Sequence, residues 1–320
     1  MEKIPFLTAF LLLFLLFSAC GASKDPSPES TAEPLHIPEL TVELPRELDT
    51  SAALEAMESL PEAMAAHNVI IDTVSVSFGP TYSATADALA QGTVQLAFLP
   101  AEDFLDLGCT NLLLADAYPA NDGSRTPGVA TLICAGPSTY GARLADIAAT
   151  RSTPLTWAEL DHARWGVLST DSLEGHRLLR LWLEDNYQDN GIVDLIQVTV
   201  YDSWDALFRA AAAEEIDLFP LPSGWEDSIA ARWNSDFGRT GSFRDEVRTV
   251  GISAGVCTWV AAVTPEDAAA NDPRFAQALS AVINDLFADP SAQKAAIGAE
   301  FYAPAVSADL NPLRRLLLGD

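Results

Sequence analysis

The pattern of apolar and polar positions predicts a strand–helix–strand unit early in the chain. Residues 74–78 alternate between Val or Phe and Ser, which is typical of a half-buried strand. Residues 81–91 are rich in Ala and other helix formers, and Gly92 follows where a helix C-cap glycine belongs. Residues 94–99 form a short, largely apolar run closed by Pro100, as expected of a buried parallel strand. Such a unit opens its loops at the carboxyl ends of its strands, where open α/β sheets bind ligands.

The same order of elements returns in the second half of the chain. Residues 165–168 predict a strand, residues 176–186 a helix with one apolar face, and residues 195–200 a further strand. A helix over residues 206–214 and an apolar strand over 216–221 then repeat the helix–turn–strand–proline order of the first unit. We therefore expect an α/β protein with two lobes, each a mostly parallel sheet flanked by helices, whose loops meet at a shared cleft.

Apolar runs that cross between the two lobes divide the chain. One run ends near Ala135 and another starts near Ser253. We expect the first lobe to comprise residues 40–136 and 258–320, and the second lobe to comprise residues 137–257. A chain of 320 residues is long enough to give each lobe its own core.

The amino-terminal residues predict export and anchoring. The apolar stretch over residues 4–17 is too short for a comfortable bilayer span and matches the h-region of a signal peptide. Residues 18–20, Ser-Ala-Cys, resemble the lipobox of bacterial lipoproteins. We expect residues 1–19 to be a signal peptide, Cys20 to be lipidated at the extracytoplasmic face of the cell membrane, and residues 20–39 to be a disordered tether. An ordinary cleaved signal with an incidental cysteine is the alternative.

The net charge and the Cys, His and catalytic-motif content exclude several classes of function. The 18 Lys and Arg against 45 Asp and Glu give a formal charge of −27, which excludes nucleic acid and anionic lipid as partners of the whole surface. Cys134 and Cys257 lie in apolar runs, where a buried free thiol is the default. The spacing of His and Cys suits no zinc site, and no motif pairs a nucleophile with a base, so we expect no metal, no cofactor and no enzyme activity.

Motifs of the first unit and the second lobe resemble a known family. Tyr82, then Gly92, a strand and Pro100 look like the first-lobe signature of the substrate-binding proteins of phosphate-, phosphite- and phosphonate-type ABC transporters. Ser172 and Gly175 before a helix resemble part of that family's Ser-Thr-Ser-Gly anion loop.

Two further motifs follow in the same order. Residues 203–207, Ser-Trp-Asp-Ala-Leu, resemble the family's Ser-His-Asp-Ala-Ala-Leu turn, and residues 215–217, Glu-Ile-Asp, resemble its Glu-Val-Asp strand. The resemblance spans about residues 40–318. It implies a type II periplasmic-binding fold in a lipoprotein that closes on a small solute and hands it to ABC permease subunits in the membrane.

Several residues differ from the family's motifs at positions where the family binds its anion, so they bear on which solute this chain binds. Leu173 and Glu174 stand where the family has Thr and Ser, Trp204 replaces a His, and Glu102 follows the first-lobe proline. In the family, hydroxyl and N–H groups at helix starts hold the anion, and a carboxylate there would repel a dianion. Two interpretations of Glu174 stay open: it faces the cleft, or it closes a capping box begun by Asp171.

The expected ligand site lies between four loops, residues 79–84, 99–104, 169–175 and 201–205. Its candidate ligand-binding residues are Tyr82, Thr81, Ser172, Ser203, Trp204, Glu174 and Glu102. The resemblance implies a phosphonate-, phosphite- or phosphate-like oxyanion. The carboxylates, with no Arg or Lys in the four loops, disfavour a dianion, so a zwitterionic or cationic solute is the alternative. A ligand sensor or an enzyme on the same fold is the remaining alternative.

Overall fold

The part of the chain that the computed structural model describes comprises residues 33–46, 48–108, 111–119, 124–188 and 190–318. The predicted signal peptide, the predicted lipidation site Cys20 and the tether up to residue 32 lie outside these residues.

Strands and helices alternate over most of the described chain. The strands are β1 (Leu35–Ile37), β2 (Leu40–Pro45), β3 (Val69–Ile71), β4 (Val74–Gly79), β5 (Leu96–Pro100), β6 (Leu112–Pro119), β7 (Arg125–Pro127), β8 (Thr131–Ala135), β9 (Arg164–Val167), β10 (Gln197–Val200), β11 (Leu218–Pro222), β12 (Arg248–Ile252), β13 (Trp259–Val263) and β14 (Tyr302–Pro304). The α-helices are α1 (Thr50–Ala65), α2 (Tyr82–Ala90), α3 (Ala101–Asp106), α4 (Thr139–Thr150), α5 (Trp157–Asp161), α6 (Leu178–Asn186), α7 (Trp204–Ala212), α8 (Glu226–Arg232), α9 (Phe243–Glu246), α10 (Pro273–Val282), α11 (Pro290–Ile297) and α12 (Asn311–Leu318). A π-helical turn, Leu173–Arg177, leads directly into α6, and 3₁₀ turns occupy Ile192–Asp194, Ile283–Asp285 and Ser307–Leu310.

The strands form two main sheets. The first has the order β14-β6-β13-β5-β2-β4, with β7 paired to β6, and the second has the order β10-β9-β11-β8-β12. The first sheet takes its strands from both ends of the described chain, and the second takes them from the middle. The predicted α/β fold, with two sheets flanked by helices, is therefore confirmed.

Each sheet is mixed rather than mostly parallel, which corrects the prediction on this point. In the first sheet β2 runs parallel to β4 and β5, whereas β13 runs antiparallel to β5 and β6. In the second sheet β9 runs parallel to β10 and β11, whereas β8 runs antiparallel to β11 and β12. The chain passes from the first sheet into β8 and from the second sheet into β13. Two parallel strands of one sheet need a crossover connection between them, whereas β8 and β13 each follow a strand of the other sheet and have no such connection to their neighbours.

The two segments that cross between the sheets pair with each other. The Val129 N–H donates to the Val256 carbonyl at 2.9 Å, and the Val256 N–H donates back at 2.8 Å. Gly128 beside this pair has a φ of +84°, and a Cβ there would lie 2.7 Å from the Val256 nitrogen. Only glycine fits so close an approach in the left-handed region. The connection between the sheets is thus a short, tightly packed pair of chain segments.

The sequence of the central strand β5 is continuously apolar because both faces of the strand are buried. Leu96 and Phe98 belong to the buried cluster under α1 and α10, whereas Ala97 and Leu99 belong to the cluster under α2 and α3. Successive side chains of a strand point to opposite faces, so both faces of β5 are buried against helices.

The predicted end of the tether at residue 39 is wrong, because a strand begins at Leu35. Residues 35–37 pair in parallel with residues 69–71, and the Leu35 and Ile37 side chains are buried. The Leu-His-Ile alternation provides a short strand, which the flanking Pro34 and Pro38 obscure in the sequence.

The predicted burial of two free thiols is confirmed. Cys134 and Cys257 are both buried and free, and burial raises the pKa of the Cys134 thiol to about 12. Among the described residues, no helix is long and apolar enough to cross a membrane.

Candidate functional site

A cleft of about 180 Å³ lies between the two sheets, next to the crossing segments. Its volume is below the range of roughly 300–1,000 Å³ that is usual for drug-sized ligands, so it suits a small solute. Side chains from both sheets line it. The polar and aromatic lining residues used below are Asp116, Thr258, Lys294, Glu300 and Phe301 from the first sheet and its helices, and Glu174, Ser223 and Trp225 from the second.

Asp116 is the most buried charge of the cleft. It lies on β6 and is 3% exposed. One carboxylate oxygen accepts the Thr258 N–H at 2.9 Å, and the other accepts the Thr258 hydroxyl. Burial, helped slightly by the charge of Glu174 and only partly offset by hydrogen bonds from Thr258 and the Trp259 backbone, raises the pKa of Asp116 to about 6. Sequence reasoning missed Asp116, although a single carboxylate within the run Leu-Leu-Leu-Ala-Asp-Ala is a signal that could have revealed it.

Glu174 lines the opposite wall of the cleft. It lies in the π-helical turn, and its carbonyl accepts the Thr131 hydroxyl at 2.7 Å. The cap of this turn is Ser172, whose hydroxyl oxygen accepts the Gly175 N–H at 3.1 Å. The capping box that would begin at Asp171 is therefore not formed. Glu174 is among the residues that line the cleft, and a role of its carboxylate in holding a solute stays a prediction.

Aromatic rings stand on both sides of the cleft. The Trp225 side chain is 41% exposed, and its ring lies 5.6 Å from that of Trp204, which stacks on Phe208. On the first-sheet side, Tyr82 meets Trp259 edge to face at 6.1 Å. Trp204, a predicted ligand-binding residue, is thus placed one ring behind the cleft, whereas neither Tyr82 nor the Trp259 that it contacts is among the described lining residues.

The Trp259 ring is fixed by a glycine that lines the cleft. Gly298 ends α11 with a φ of +92°, and a Cβ there would lie 2.1 Å from the Trp259 ring. The indole therefore packs directly on the backbone at the end of α11.

The remaining predicted residues serve as helix starts. The side-chain oxygens of Thr81, Ser172 and Ser203 each accept the N–H of the residue three positions on, at 3.2, 3.1 and 3.2 Å. Glu102 is exposed in the first turn of α3, where the sequence predicted a loop. An acidic first turn favours a helix there through the helix dipole. None of these four residues is among the described residues that line the cleft.

Apolar packing explains why those loops do not enclose the cleft. Leu173 packs against a buried cluster that contains Leu178 and Leu181 of α6 together with Leu99 and Phe104. The helix that follows the predicted anion loop is therefore packed against the elements after β5. The remaining open space lies on the Glu174 side of the loop.

The charges of the cleft are mainly negative. Among the described lining residues, three are carboxylates and one is an ammonium, and that ammonium, Lys294, lies 3.4 Å from Glu300. The Arg125 guanidinium lies 4.9 Å from the centre of the Phe301 ring, over its face. No group of three or more His, Cys, Asp or Glu side chains in the described residues is placed to hold a metal ion.

A larger cavity, of about 670 Å³, lies mostly among elements of the second sheet, between α4, α9 and β12. Its arginines are paired, Arg244 with Asp227 and Arg248 with Asp146. None of the predicted ligand-binding residues lines it in the described chain, so the smaller cleft between the sheets is the candidate site.

No protein-family model matches the chain, and no curated protein matches it either. Among solved structures, XAC2383 from Xanthomonas citri bound to chloride ion is 16% identical, over 88% of this chain and 96% of that one, with a TM-score of 0.40. A binding protein component of an ABC phosphonate transporter from Pseudomonas aeruginosa is 12% identical, over 88% and 86%, with a TM-score of 0.36. Transferrin 1 from Manduca sexta is 9% identical, with a TM-score of 0.52, and 87% of this chain matches 46% of that one. At such identities the last likeness shows a shared fold and nothing about the solute.

Proposed function

We propose that this protein is an extracytoplasmic solute-binding lipoprotein of an ABC importer. It closes two lobes on a small solute and delivers that solute to permease subunits in the membrane. The observation that supports this most directly is the cleft between the two sheets, because both walls contribute polar side chains to it. The protein acts by binding, and we assign it no reaction.

The proposed lobes follow the sheets, which moves the predicted boundary at residue 136, because β8 (Thr131–Ala135) pairs within the second sheet. The first lobe then comprises residues 40–129 and 257–320, and the second comprises residues 130–256. The paired crossing segments at Val129 and Val256 then form the hinge, since closure of two lobes needs only a few residues to change backbone conformation.

Filling the cleft should abolish solute binding. Ser223 lines the cleft, and an indole in its place would occupy much of the 180 Å³. In a thermal-shift screen of small solutes, any compound that raises the melting temperature of the wild-type protein should have no effect on Ser223→Trp, because only binding to the native state stabilises it. Ser235→Trp, at an exposed position of the second-sheet half, is the matched control and should keep the shift. An unchanged shift in Ser223→Trp would place the solute elsewhere.

In the proposed lipoprotein, attachment to the membrane depends on a lipid bound to Cys20. The variant Cys20→Ala should be released from membranes or keep its signal peptide, because the lipid would then have no attachment site. Cell fractionation and the mass of the mature protein measure this, and Cys109→Ala is the control for loss of a thiol. Normal processing and unchanged membrane partitioning of Cys20→Ala would refute the lipoprotein assignment.

A further inference from the structure

The cleft between the sheets has the chemistry of a cation site. Building on the proposed binding function, we propose that the solute carries a cationic nitrogen, bound between the Glu174 carboxylate and the Trp225 ring, with Asp116 as the buried counter-charge. This replaces the oxyanion that the family resemblance implies.

The first argument is the charge balance of the cleft. Lys294 compensates Glu300, at 3.4 Å, whereas neither Asp116 nor Glu174 has a Lys, Arg or His partner in the described chain. The two carboxylates are close enough for Glu174 to raise the pKa of Asp116. Like charges in a partly buried site disfavour each other, and a bound cation relieves that repulsion. A bound dianion would add to it.

The second argument is independent of the carboxylates and comes from the aromatic wall. The Trp225 ring is 41% exposed, although Trp204 backs it at 5.6 Å and Phe208 stacks behind Trp204. A rigid, partly exposed indole is the side chain whose face attracts cations best. Phe301, another ring of the lining, already holds the Arg125 guanidinium over its face at 4.9 Å.

The third argument is the scarcity of free donors for an anion. The Thr258 hydroxyl, which lines the cleft, is used by Asp116. The other hydroxyls of the described lining are those of Ser223 and Tyr118, and the Lys294 ammonium lies beside Glu300. The hydroxyls of Thr81, Ser172 and Ser203 are not among the described lining residues. An oxyanion in this cleft would meet the Glu174 carboxylate at a position where the resembled family has a serine. A compact amine or quaternary ammonium compound fits the small volume of the cleft.

Calorimetry with small probes tests this. The probes are methylammonium, ethanolamine, choline, glycine betaine and 2-aminoethylphosphonate, with methylphosphonate as the anion that lacks an amine. We expect at least one of the nitrogen cations to bind and methylphosphonate to bind at least tenfold more weakly. Glu174→Gln should weaken the cation at least tenfold. Asp171→Asn removes the same charge from an exposed position of the same loop and should leave affinity unchanged.

The outcomes separate this inference from the proposed function. Methylphosphonate binding as tightly as 2-aminoethylphosphonate, or cation binding that survives Glu174→Gln, would overturn the cation site and leave the solute-binding function standing. Failure of every amine to bind would also overturn the cation site. The binding function itself then depends on whether any solute gives a thermal shift that Ser223→Trp removes.

Discussion

Replacing Gly298 with alanine is expected to lower the free energy of unfolding by about 2–5 kcal/mol. Two costs add up at this position. The φ of +92° is a left-handed conformation, which costs an L-residue roughly 1–2 kcal/mol. The new Cβ would also lie 2.1 Å from the Trp259 ring, and such overpacking typically costs about 1–3 kcal/mol. Urea unfolding of the purified protein measures the sum.

The matched control is Gly238→Ala. Gly238 has a φ of +74°, but nothing lies within 4 Å of the position of its Cβ. This variant should therefore lose only the conformational cost of roughly 1–2 kcal/mol. Equal losses in the two variants would contradict the close packing of Trp259 on Gly298. Because Gly298 lines the cleft, its alanine variant should also weaken solute binding, whereas the Gly238 variant should not.

The second large effect is a pH dependence caused by Asp116. Below about pH 4 this carboxyl group is protonated in both the folded and the unfolded state. As the pH rises, the unfolded state ionises first, because burial raises the pKa in the folded state to about 6. Stability is therefore lost between about pH 4 and pH 6 and is constant above. The two-unit difference corresponds to a loss of about 3 kcal/mol.

Asp116→Asn isolates this effect. Asparagine keeps the shape of the side chain and can still accept the Thr258 N–H, but it does not titrate. Relative to this variant, the wild-type protein should become less stable by about 3 kcal/mol between pH 4 and pH 7, measured by urea unfolding at both pH values. Carboxyl groups whose pKa is lowered in the folded state, such as Asp217 beside Arg164, make stability rise with pH. The wild-type protein and Asp116→Asn share these groups, so their effect cancels from the difference in stability between the two proteins. A difference that does not change with pH would show that Asp116 is already ionised in the folded state at pH 4.

The local elements of this protein follow from its sequence alone. Asp49, Asp272 and Asp289 stand directly before helices and cap them, and Thr156 forms a capping box with Glu159. Gly298 ends a helix in the left-handed conformation, as its place after an amphipathic segment predicts. These features follow from sequence because each depends on contacts within about four residues along the chain.

The apolar runs likewise predicted which strands are buried. The run over residues 94–99 is buried on both faces, and its continuity follows from that environment alone. Strand direction did not follow in the same way. The crossing strands β8 and β13 pair antiparallel because of where the chain enters each sheet, which no local pattern encodes.

The chemistry of the cleft depends on tertiary packing. Asp116, Glu174 and Trp225 are far apart in the sequence and meet because two sheets face each other at the crossing segments. The predicted loops around Thr81, Ser172 and Ser203 do begin helices, yet Leu173 and α6 pack against the elements after β5, and none of these three residues is among the described residues that line the cleft. Which side chains share a cavity depends on how helices pack between sheets. Contacts between residues that are distant in the sequence determine that packing, and the periodicity of the sequence carries no information about such contacts.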